Sequence, residues 1–242
     1  MTKDTSKAAG YNERLFSGKG LRSYLHNSRF VWFSDVVARF SLDTRKIIEL
    51  GCFDGRLLSH LNQEPESYVG LDADWEGGLS RAQKDFDAKS FAHFINSKDP
   101  NDLAQFEDNS FHLAVALETL EHIAPQDLDS YLKELARVVN GHLVVSVPNE
   151  KGPVFAAKWT VKKLFFGGAE KYSLVEFWNA LLGRMERVER LEHKGFDHGV
   201  LKRQIEEHFV LICCEPVPFR WMPKWTGFTI GFVAKTKPAA DG

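Results

Sequence analysis

The sequence predicts an α/β protein built on a doubly wound, seven-stranded sheet, with a helical extension at the N-terminus and a helical insertion after the fifth strand. Short apolar runs alternate with amphipathic stretches between residues 45 and 150, which is typical of parallel strands covered by helices on both faces of a sheet. Two further strand-like runs near the C-terminus are joined by a short Pro- and Trp-rich stretch, which predicts an antiparallel pair.

Four segments are predicted along the chain. Residues 1–44 are expected to form an arm and a helical cap, because apolar residues recur at helical spacing over Leu21–Phe40. Residues 45–150 are expected to form a ligand-binding core, residues 151–190 the helical insertion, and residues 191–242 the last helix and the final strand pair of the same domain.

The core is predicted to contain five strands, each of which follows from a short apolar run. They are Arg45–Leu50, Tyr68–Leu71, Phe91–Ile95, Phe111–Leu117 and His142–Val147. Helical patterns predict the covering helices Arg56–Asn62, Leu79–Phe86 and Gln126–Val139. A helix over Gly199–His208 and strands over Phe209–Cys214 and Thr229–Lys235 are predicted to complete the sheet.

Composition excludes several classes of protein. The chain has 242 residues and a net charge of −2, which argues against a dedicated nucleic-acid-binding protein. Its three cysteines include no CxxC motif, so neither a disulfide scaffold nor a zinc ribbon is expected. No apolar run reaches the roughly 20 residues of a membrane span, and the first residues lack the apolar core of a signal peptide. We therefore expect a cytoplasmic protein.

A glycine turn, ELGCFDG, follows the first predicted strand. Gly51 and Gly55 permit left-handed backbone and a close approach of a ligand, and the N–H groups at the start of the following helix are expected to attract an anion. The turn lacks the G-x-G-x-x-G of nicotinamide-binding proteins and the Gly-Lys-Ser/Thr of a phosphate loop. It therefore suits a small anion such as a carboxylate, or it is a tight connection without a ligand.

An acidic residue ends the second predicted strand. Asp72 lies about 20 residues after the glycine turn, where the acidic residue of dinucleotide-binding folds bonds the ribose hydroxyls. Capping of the next helix by Asp72 or Asp74 is the alternative.

These motifs resemble those of class I S-adenosylmethionine-dependent methyltransferases. IIELGCFDG is similar to the family's first motif and YVGLD to its second, while KDPNDLAQFEDNSFHLAVALETLEHI resembles the third and fourth strands and VSVPNE the fifth. The resemblance covers roughly residues 45–150. It implies a Rossmann-like sheet, S-adenosylmethionine as the cofactor, and a cofactor-binding core over these residues.

The resemblance also implies which residues contact the cofactor. The turn would hold the methionine end, Asp72 the ribose, Ala73 and Asp74 would lie beside the adenine, and Asp99 would accept a hydrogen bond from its amino group. The full set is Glu49, Gly51, Cys52, Phe53, Gly55, Asp72, Ala73, Asp74, Asp99, Leu117 and Glu118. Phe53 departs from the family pattern, because it stands where the family has its middle glycine. Its ring either turns away or narrows the pocket, and a catalytically inactive methyltransferase-like binding protein is the corresponding alternative.

Candidate catalytic residues follow the fourth strand in LETLEHI. His122 has the ordinary pKa range of a general base, and Glu121 lies beside it. Glu118, Glu121 and His122 are similar to the metal site of ubiquinone-biosynthesis O-methyltransferases and small-RNA terminal 2′-O-methyltransferases. A divalent metal and a purely supporting role therefore both stay open, and His193 and His198 are candidate further ligands or acceptor contacts.

The expected reaction is transfer of a methyl group to oxygen of a small-molecule, glycan or lipid-linked acceptor, because the general arrangement resembles bacterial methyltransferases that act on such intermediates. A small-RNA-type 2′-O-methyltransferase is the alternative, although the net charge makes nucleic acid an unlikely partner. The basic, aromatic insertion at 151–190 is interpreted as an acceptor lid or as a surface anchor at the inner face of a membrane. Packing of its aromatic residues on the sheet is the other interpretation.

Overall fold

The computed structural model describes residues 21–165, 171–191 and 193–238. Seven strands form one sheet in the order β3-β2-β1-β4-β5-β7-β6. They are β1 Lys46–Leu50, β2 Ser67–Asp72, β3 Ala92–Asn96, β4 Phe111–Leu117, β5 Val139–Pro148, β6 Phe209–Val217 and β7 Thr229–Thr236. The first five strands pair in parallel, whereas β7 pairs antiparallel with both β5 and β6. The predicted fold class is confirmed.

Within the described residues, six helices cover the sheet or follow it. They are α1 Leu21–Phe40, α2 Gly78–Asp85, α3 Pro125–Val138, α4 Gly152–Phe165, α5 Leu174–Leu181 and α6 His198–His208. The periodicity over residues 21–40 thus corresponds to one continuous helix. None of the described helices is both long enough and apolar enough to cross a lipid bilayer.

The two faces of the sheet carry separate apolar cores, as the alternation of side chains along a strand requires. Ile48 of β1 belongs to a core shared with α3 and α6, whereas its neighbour Ile47 belongs to a core shared with α1 and α2. On the second face Phe33 and Val36 of α1 are fully buried. The N-terminal helix is therefore a structural layer of the domain.

The segment after the glycine turn differs from its prediction. The helix expected at Arg56–Asn62 is a 3₁₀ turn over Arg56–His60. It begins after Gly55, whose φ is 71°, and only a few residues separate it from Pro65, which interrupts regular structure. The short apolar pair Leu57-Leu58 could be buried by a single turn as well as by a longer helix.

The insertion forms a small apolar cluster of its own. Phe155 of α4 and Ala180 of α5 are buried with Met185 and Val188, and Trp159 and Phe177 pack against them. These aromatic residues therefore pack mainly on each other. Residues 1–20 of the predicted arm and residues 166–170 of the predicted insertion lie outside the described residues.

Candidate active site

The glycine turn lies at the carboxyl end of β1, where the chain reverses tightly. Gly51 has a φ of 72° and Gly55 a φ of 71°. A β-carbon at Gly51 would be 2.1 Å from Oγ1 of Thr119, so only glycine fits between the turn and the residue that follows β4. The predicted left-handed backbone is found at both glycines, whereas the group that approaches Gly51 closely is Thr119; the close approach of a ligand stays a prediction.

The turn's own N–H groups are largely used inside the protein. Gly51 N and Cys52 N both donate to the carbonyl oxygen of Leu71, at 2.7 and 3.2 Å, and Gly55 N donates to Cys52 O at 2.9 Å. These three groups therefore already have acceptors within the protein. The helix start that was predicted to attract an anion is a short 3₁₀ turn at Arg56–His60, and the binding of an anion there stays a prediction.

Asp72 links the glycine turn after β1 to the turn after β2. Its Oδ2 accepts a hydrogen bond from Phe53 N at 3.0 Å, and its Oδ1 accepts one from Trp75 N at 3.3 Å. Each carboxylate oxygen has a second lone pair. Asp72 thus orders the glycine turn while it retains the capacity to accept from a ligand's hydroxyl groups.

The other acidic residues assigned to the nucleoside make local contacts. The carboxylate of Asp74 accepts from both N and Oγ of Ser80 in α2, at 3.2 and 3.1 Å. Asp99 caps the 3₁₀ turn Pro100–Gln105 by accepting from Asn101 N at 2.8 Å. Ala73 is exposed between Asp72 and Asp74. The structure therefore places Asp72, Ala73 and Asp74 at the end of β2 and Asp99 just after β3.

Phe53 occupies left-handed backbone with a φ of 47°. Its ring lies against Gly78, the first residue of α2, and the guanidinium carbon of Arg81 is 5.8 Å from the ring centroid. The ring therefore extends toward α2, which agrees with the interpretation that it turns away from the pocket. Phe53 still contributes to the wall of the cavity described next.

A small cavity of about 20 Å³ opens above the turn. Gly51, Phe53 and Leu117 line it, and so do Arg29 and Phe30 of α1. Sequence reasoning missed the two helix residues, because it treated the N-terminal helix as a cap and placed the cofactor contacts within residues 45–150. The sequence did contain a signal for this position, because the cationic Arg29 directly precedes Phe30, an apolar residue on the buried face of the helix.

Glu49 is buried at the base of this cavity. The hydroxyl of Tyr68 donates to its Oε2 at 2.5 Å. Burial raises the pKa of Glu49 to about 8, although the Tyr68 hydrogen bond and the charge of Arg29 oppose the shift. Glu49 is therefore largely protonated at neutral pH in the ligand-free protein.

Glu118 is held by a hydrogen bond to β7. It has a φ of 56° directly after β4, and its Oε1 accepts from Oγ1 of Thr229 on β7 at 3.0 Å. Burial raises the pKa of Glu118, and the charges of Arg29 and Lys158 oppose the shift. Glu118 thus joins the end of β4 to β7, and the structure does not bring it into the cluster of potential metal ligands.

Glu121 lies in the 3₁₀ turn Leu120–His122 and its residue is only 1% exposed. Neither of its carboxylate oxygens has a hydrogen-bond partner within the described part of the chain. Burial, followed by repulsion from Glu118, raises its pKa well above the ordinary range. A buried carboxylate of this kind is costly unless it is protonated or meets a cation.

Two imidazoles adjoin Glu121. The rings of His122 and His193 are 4.4 Å apart between centroids and inclined by 71°. One potential ligand atom from each of Glu121, His122 and His193 lies within 4.8 Å of the other two. His198, the other candidate histidine, is outside this group. It begins α6 beside the Lys151–Asp197 ion pair, and burial lowers its pKa to about 4.

Distant parts of the chain meet at the end of β5. Asn149 after β5 donates from N to Phe228 O and from Nδ2 to Gly227 O, at 3.1 and 3.0 Å. His26 of α1 meets the ring of Phe228 edge-on at 5.6 Å, and Lys158 of α4 lies 4.8 Å from the same ring. Helix α1, the insertion and the β6–β7 connection therefore converge beside the end of β5.

The chain matches a known family over the part that forms this site. The sequence model of a family described as a methyltransferase domain matches residues 47–141. Over these residues the chain is a methyltransferase domain, similar to that of S-adenosylmethionine-dependent methyltransferases. No curated protein sequence matches the chain.

Solved structures share the fold of this methyltransferase at low sequence identity. The PH0226 protein of Pyrococcus horikoshii is 17% identical, with a TM-score of 0.61 over 90% of this chain and 93% of that one. Magnesium protoporphyrin IX methyltransferase of Synechocystis, solved with bound S-adenosylhomocysteine, is 13% identical, with a TM-score of 0.58 over 95% and 89%. The N-methyltransferase NodS of Bradyrhizobium japonicum, also bound to S-adenosylhomocysteine, is 11% identical, with a TM-score of 0.59 over 95% and 94%.

Proposed function

We propose that this methyltransferase methylates an oxygen atom of a small-molecule, glycan or lipid-linked acceptor, beside the 3₁₀ turn that follows β4. The observation that carries the proposal is the buried, unpartnered carboxylate of Glu121 next to His122 and His193. A hydroxyl acceptor must lose a proton whose pKa lies far above 7, which requires a base or a metal ion. An amine that is already neutral would require neither.

The proposed cofactor is S-adenosylmethionine, and it would lie across the ends of β1, β2 and β4. Gly51, Cys52 and Phe53 would enclose its methionine end together with Leu117, and Asp72 would accept from the ribose hydroxyls. Ala73 and Asp74 would lie beside the adenine, whose amino group would donate to Asp99. Glu49 would face the α-ammonium group. S-adenosylmethionine supplies a methyl group that its sulfonium charge already activates, so the protein chiefly positions the acceptor.

The proposed role of Glu121, His122 and His193 is to hold a divalent cation. One carboxylate and two imidazoles suit a first-row transition metal better than magnesium, which prefers oxygen ligands. A divalent cation fits these side chains because Glu121 is buried, and a bound cation would stabilise its ionised carboxylate there. A cation bound at this point would lower the pKa of an acceptor hydroxyl.

Two outcomes of metal removal separate this role from simple base catalysis. We expect chelation to abolish turnover of a hydroxyl acceptor and to leave the affinity for S-adenosylhomocysteine unchanged. Full turnover after chelation would leave His122 as the base that takes the acceptor's proton, with Glu121 orienting its ring.

Cation binding is measurable without the acceptor. We expect Glu121→Gln to weaken Mn²⁺ binding in calorimetry by at least about tenfold, the scale of a lost charged ligand contact. Asp129→Asn is the matched control, because Asp129 belongs to a second acidic and histidine group that is largely exposed. Equal Mn²⁺ affinity in the wild type and the Glu121 variant would contradict the proposal.

A lipid-linked acceptor is favoured by the surface of the insertion. Leu174 and Trp178 of α5 are 82% and 57% exposed, and they form one stripe with Val175 and Leu182. Residues 151–190 contain eight Lys or Arg residues and four Glu residues, although the whole chain has a net charge of −2. An apolar stripe within a basic segment suits an anionic lipid surface.

Vesicle sedimentation tests this surface. The wild-type protein is expected to sediment with vesicles that contain an anionic phospholipid and not with purely zwitterionic vesicles. A Leu174→Asp, Trp178→Ala variant should lose most of this binding, whereas Val31→Asp on the exposed side of α1 should retain it. Equal partition of the two variants would remove the membrane from the proposal.

A further inference from the structure

His193 lies in a tight turn outside the strands and helices of the core. Residues 191–194 form this turn, which is closed by two hydrogen bonds between Leu191 and Lys194, each 3.0 Å from N to O. Gly195 follows with a φ of 75°, and a β-carbon there would be 2.6 Å from Glu189 O. The turn is therefore narrow at its base, and the place of the imidazole depends on the contacts that hold this base.

Lys194 is a buried cation at the base of the turn. Its side chain is only 6% exposed, and its Nζ lies 2.7 Å from Oε1 of Glu176 in α5. The same ammonium group lies 5.3 Å from the ring centroid of Tyr172. Burial of a lysine costs free energy unless an anion compensates its charge. Glu176 therefore anchors the turn to the insertion.

Glu176 is itself held in one orientation. Its Oε2 accepts hydrogen bonds from N and Oγ of Ser173 at the start of α5, both at 2.9 Å. Its Oε1, which faces Lys194, also accepts one from Glu189 N at 3.3 Å. The hydrogen bond from Lys194 lowers the pKa of Glu176 to about 2, so the carboxylate is ionised at neutral pH. One side chain of α5 thus holds the chain on both sides of the turn.

The same segment also contacts the turn that follows β4. Arg190 donates from Nη2 to the backbone oxygen of Glu121 at 2.5 Å. Val188, two residues earlier, is buried in the apolar cluster of the insertion. The segment therefore connects the insertion to the candidate site, and His193 reaches that site from the side of the insertion.

We propose that Glu176 and Lys194 are positioning residues that hold His193 in the proposed cation site. The inference rests on that proposed site and extends it, because it makes α5 part of the support of the site as well as a candidate lipid surface. Both residues act through His193, and neither would contact the cation. Contacts that orient a metal ligand are important for affinity, since their loss typically weakens metal binding by about 10- to 100-fold.

Mn²⁺ binding in double variants tests this role. Glu176→Gln removes the charge opposite Lys194 and keeps an oxygen that can accept from the start of α5. Lys194→Met removes the buried cation instead, so the test survives if one of the two variants fails to fold. Glu186→Gln is the matched control, because Glu186 precedes the same turn and its side chain is 71% exposed.

Calorimetry with Mn²⁺ alone is carried out on each variant with and without His193→Ala, and thermal unfolding reports whether each is folded. We expect Glu176→Gln and Lys194→Met each to lower Mn²⁺ affinity by about tenfold when His193 is present. Neither should have a further effect in the His193→Ala protein, because a positioning residue acts only through its ligand. Lys194→Arg and Glu186→Gln should bind Mn²⁺ nearly as tightly as the wild type.

Two sets of results would contradict the account, and they differ. Wild-type Mn²⁺ affinity in both single variants, or the same loss with and without His193, would overturn the positioning role. A parallel fall in the affinity for S-adenosylhomocysteine would also overturn it, since the effect would then be general. Failure of the wild type to bind Mn²⁺, or an affinity that His193→Ala leaves unchanged, would instead overturn the proposed cation site.

Discussion

The ring of Phe53 lies against the backbone of Gly78, so closely that a β-carbon at position 78 would be 2.3 Å from Cδ2 of the ring. The two residues belong to different turns, one after β1 and one at the start of α2. A phenylalanine at the position where related motifs have glycine is accommodated because the residue opposite it has no side chain. Phe53 and Gly78 therefore act as a pair.

Substitution at Gly78 tests this pair. Gly78→Ala should displace the ring of Phe53 toward the cavity and lower the affinity for S-adenosylhomocysteine by about tenfold, since overpacking typically costs about 1–3 kcal/mol. The double variant Phe53→Gly, Gly78→Ala should recover most of that affinity in calorimetry. Gly77→Ala is the control, because a β-carbon there meets no atom within 4 Å and the change adds backbone strain alone. Failure of the double variant to recover affinity would show that the ring does not transmit the effect.

Asp72 is expected to make the largest single carboxylate contribution to nucleoside binding. Asp72→Asn should weaken S-adenosylhomocysteine binding by about 1–3 kcal/mol, because the amide is neutral and one of its two groups cannot accept a hydrogen bond. Asp74→Asn should have a smaller effect, since the carboxylate of Asp74 is held by Ser80. The two affinities are compared by calorimetry at one pH. An Asp72 variant that binds as tightly as the wild type would exclude Asp72 from the site.

Because the pKa of Glu49 is raised, the free energy of unfolding is expected to fall as the pH rises. Its pKa in the folded, ligand-free protein is about 8, against an ordinary value of 4.5. Between these values the folded protein retains a proton that the unfolded chain has lost. The stabilising contribution of Glu49 to the free energy of unfolding is therefore fully present below about pH 4.5, and it is lost as the pH rises to about 8.

Glu49→Gln should remove this dependence. The free energy of unfolding of the wild type should fall by up to about 1.4 kcal/mol per pH unit more steeply than that of the variant between pH 5 and 8. Urea denaturation at several pH values measures both proteins, and the difference isolates Glu49 from Glu118 and Glu121. Parallel pH profiles would show that Glu49 is ionised in the folded protein.

The proposed contact of Glu49 with the cofactor's ammonium group has a second consequence. If binding favours ionised Glu49, then S-adenosylhomocysteine binding near pH 7 should release close to one proton from the wild type and markedly less from Glu49→Gln. Calorimetry in buffers with different ionisation enthalpies gives the number of protons. The same proton release in both proteins would assign the ionisation to another group.

The strands could be predicted from the sequence because buried parallel strands are continuous apolar runs. The bounds of β4, Phe111–Leu117, agree with the prediction at both ends. The ends of β5 and β6 could not be predicted as well, since β5 begins directly after α3 at Val139 and β6 continues through Pro216 on the edge of the sheet. Edge and end positions lack the burial that makes a run apolar.

The site could be predicted only where its residues follow one strand. Gly51 and Asp72 could be proposed as site residues because their spacing reflects the β1–β2 unit itself. Arg29 reaches the cavity from a segment before the core, so that no local pattern marks it. His193 was a candidate together with His198, and only the structure separates the two, because it places His193 beside His122. The direction of Glu118 depends on its positive φ and on Thr229 of β7, a contact over more than a hundred residues of sequence.

The central claim is that the cavity above the glycine turn binds S-adenosylmethionine with its reacting end toward Glu121 and His122. A crystal structure with bound S-adenosylhomocysteine tests it most directly. We predict the ribose hydroxyls at Asp72, the amino-acid end above Gly51, and the sulfur on the side of Glu121. A nucleoside bound elsewhere, with the ring of Phe53 filling the cavity, would contradict the account.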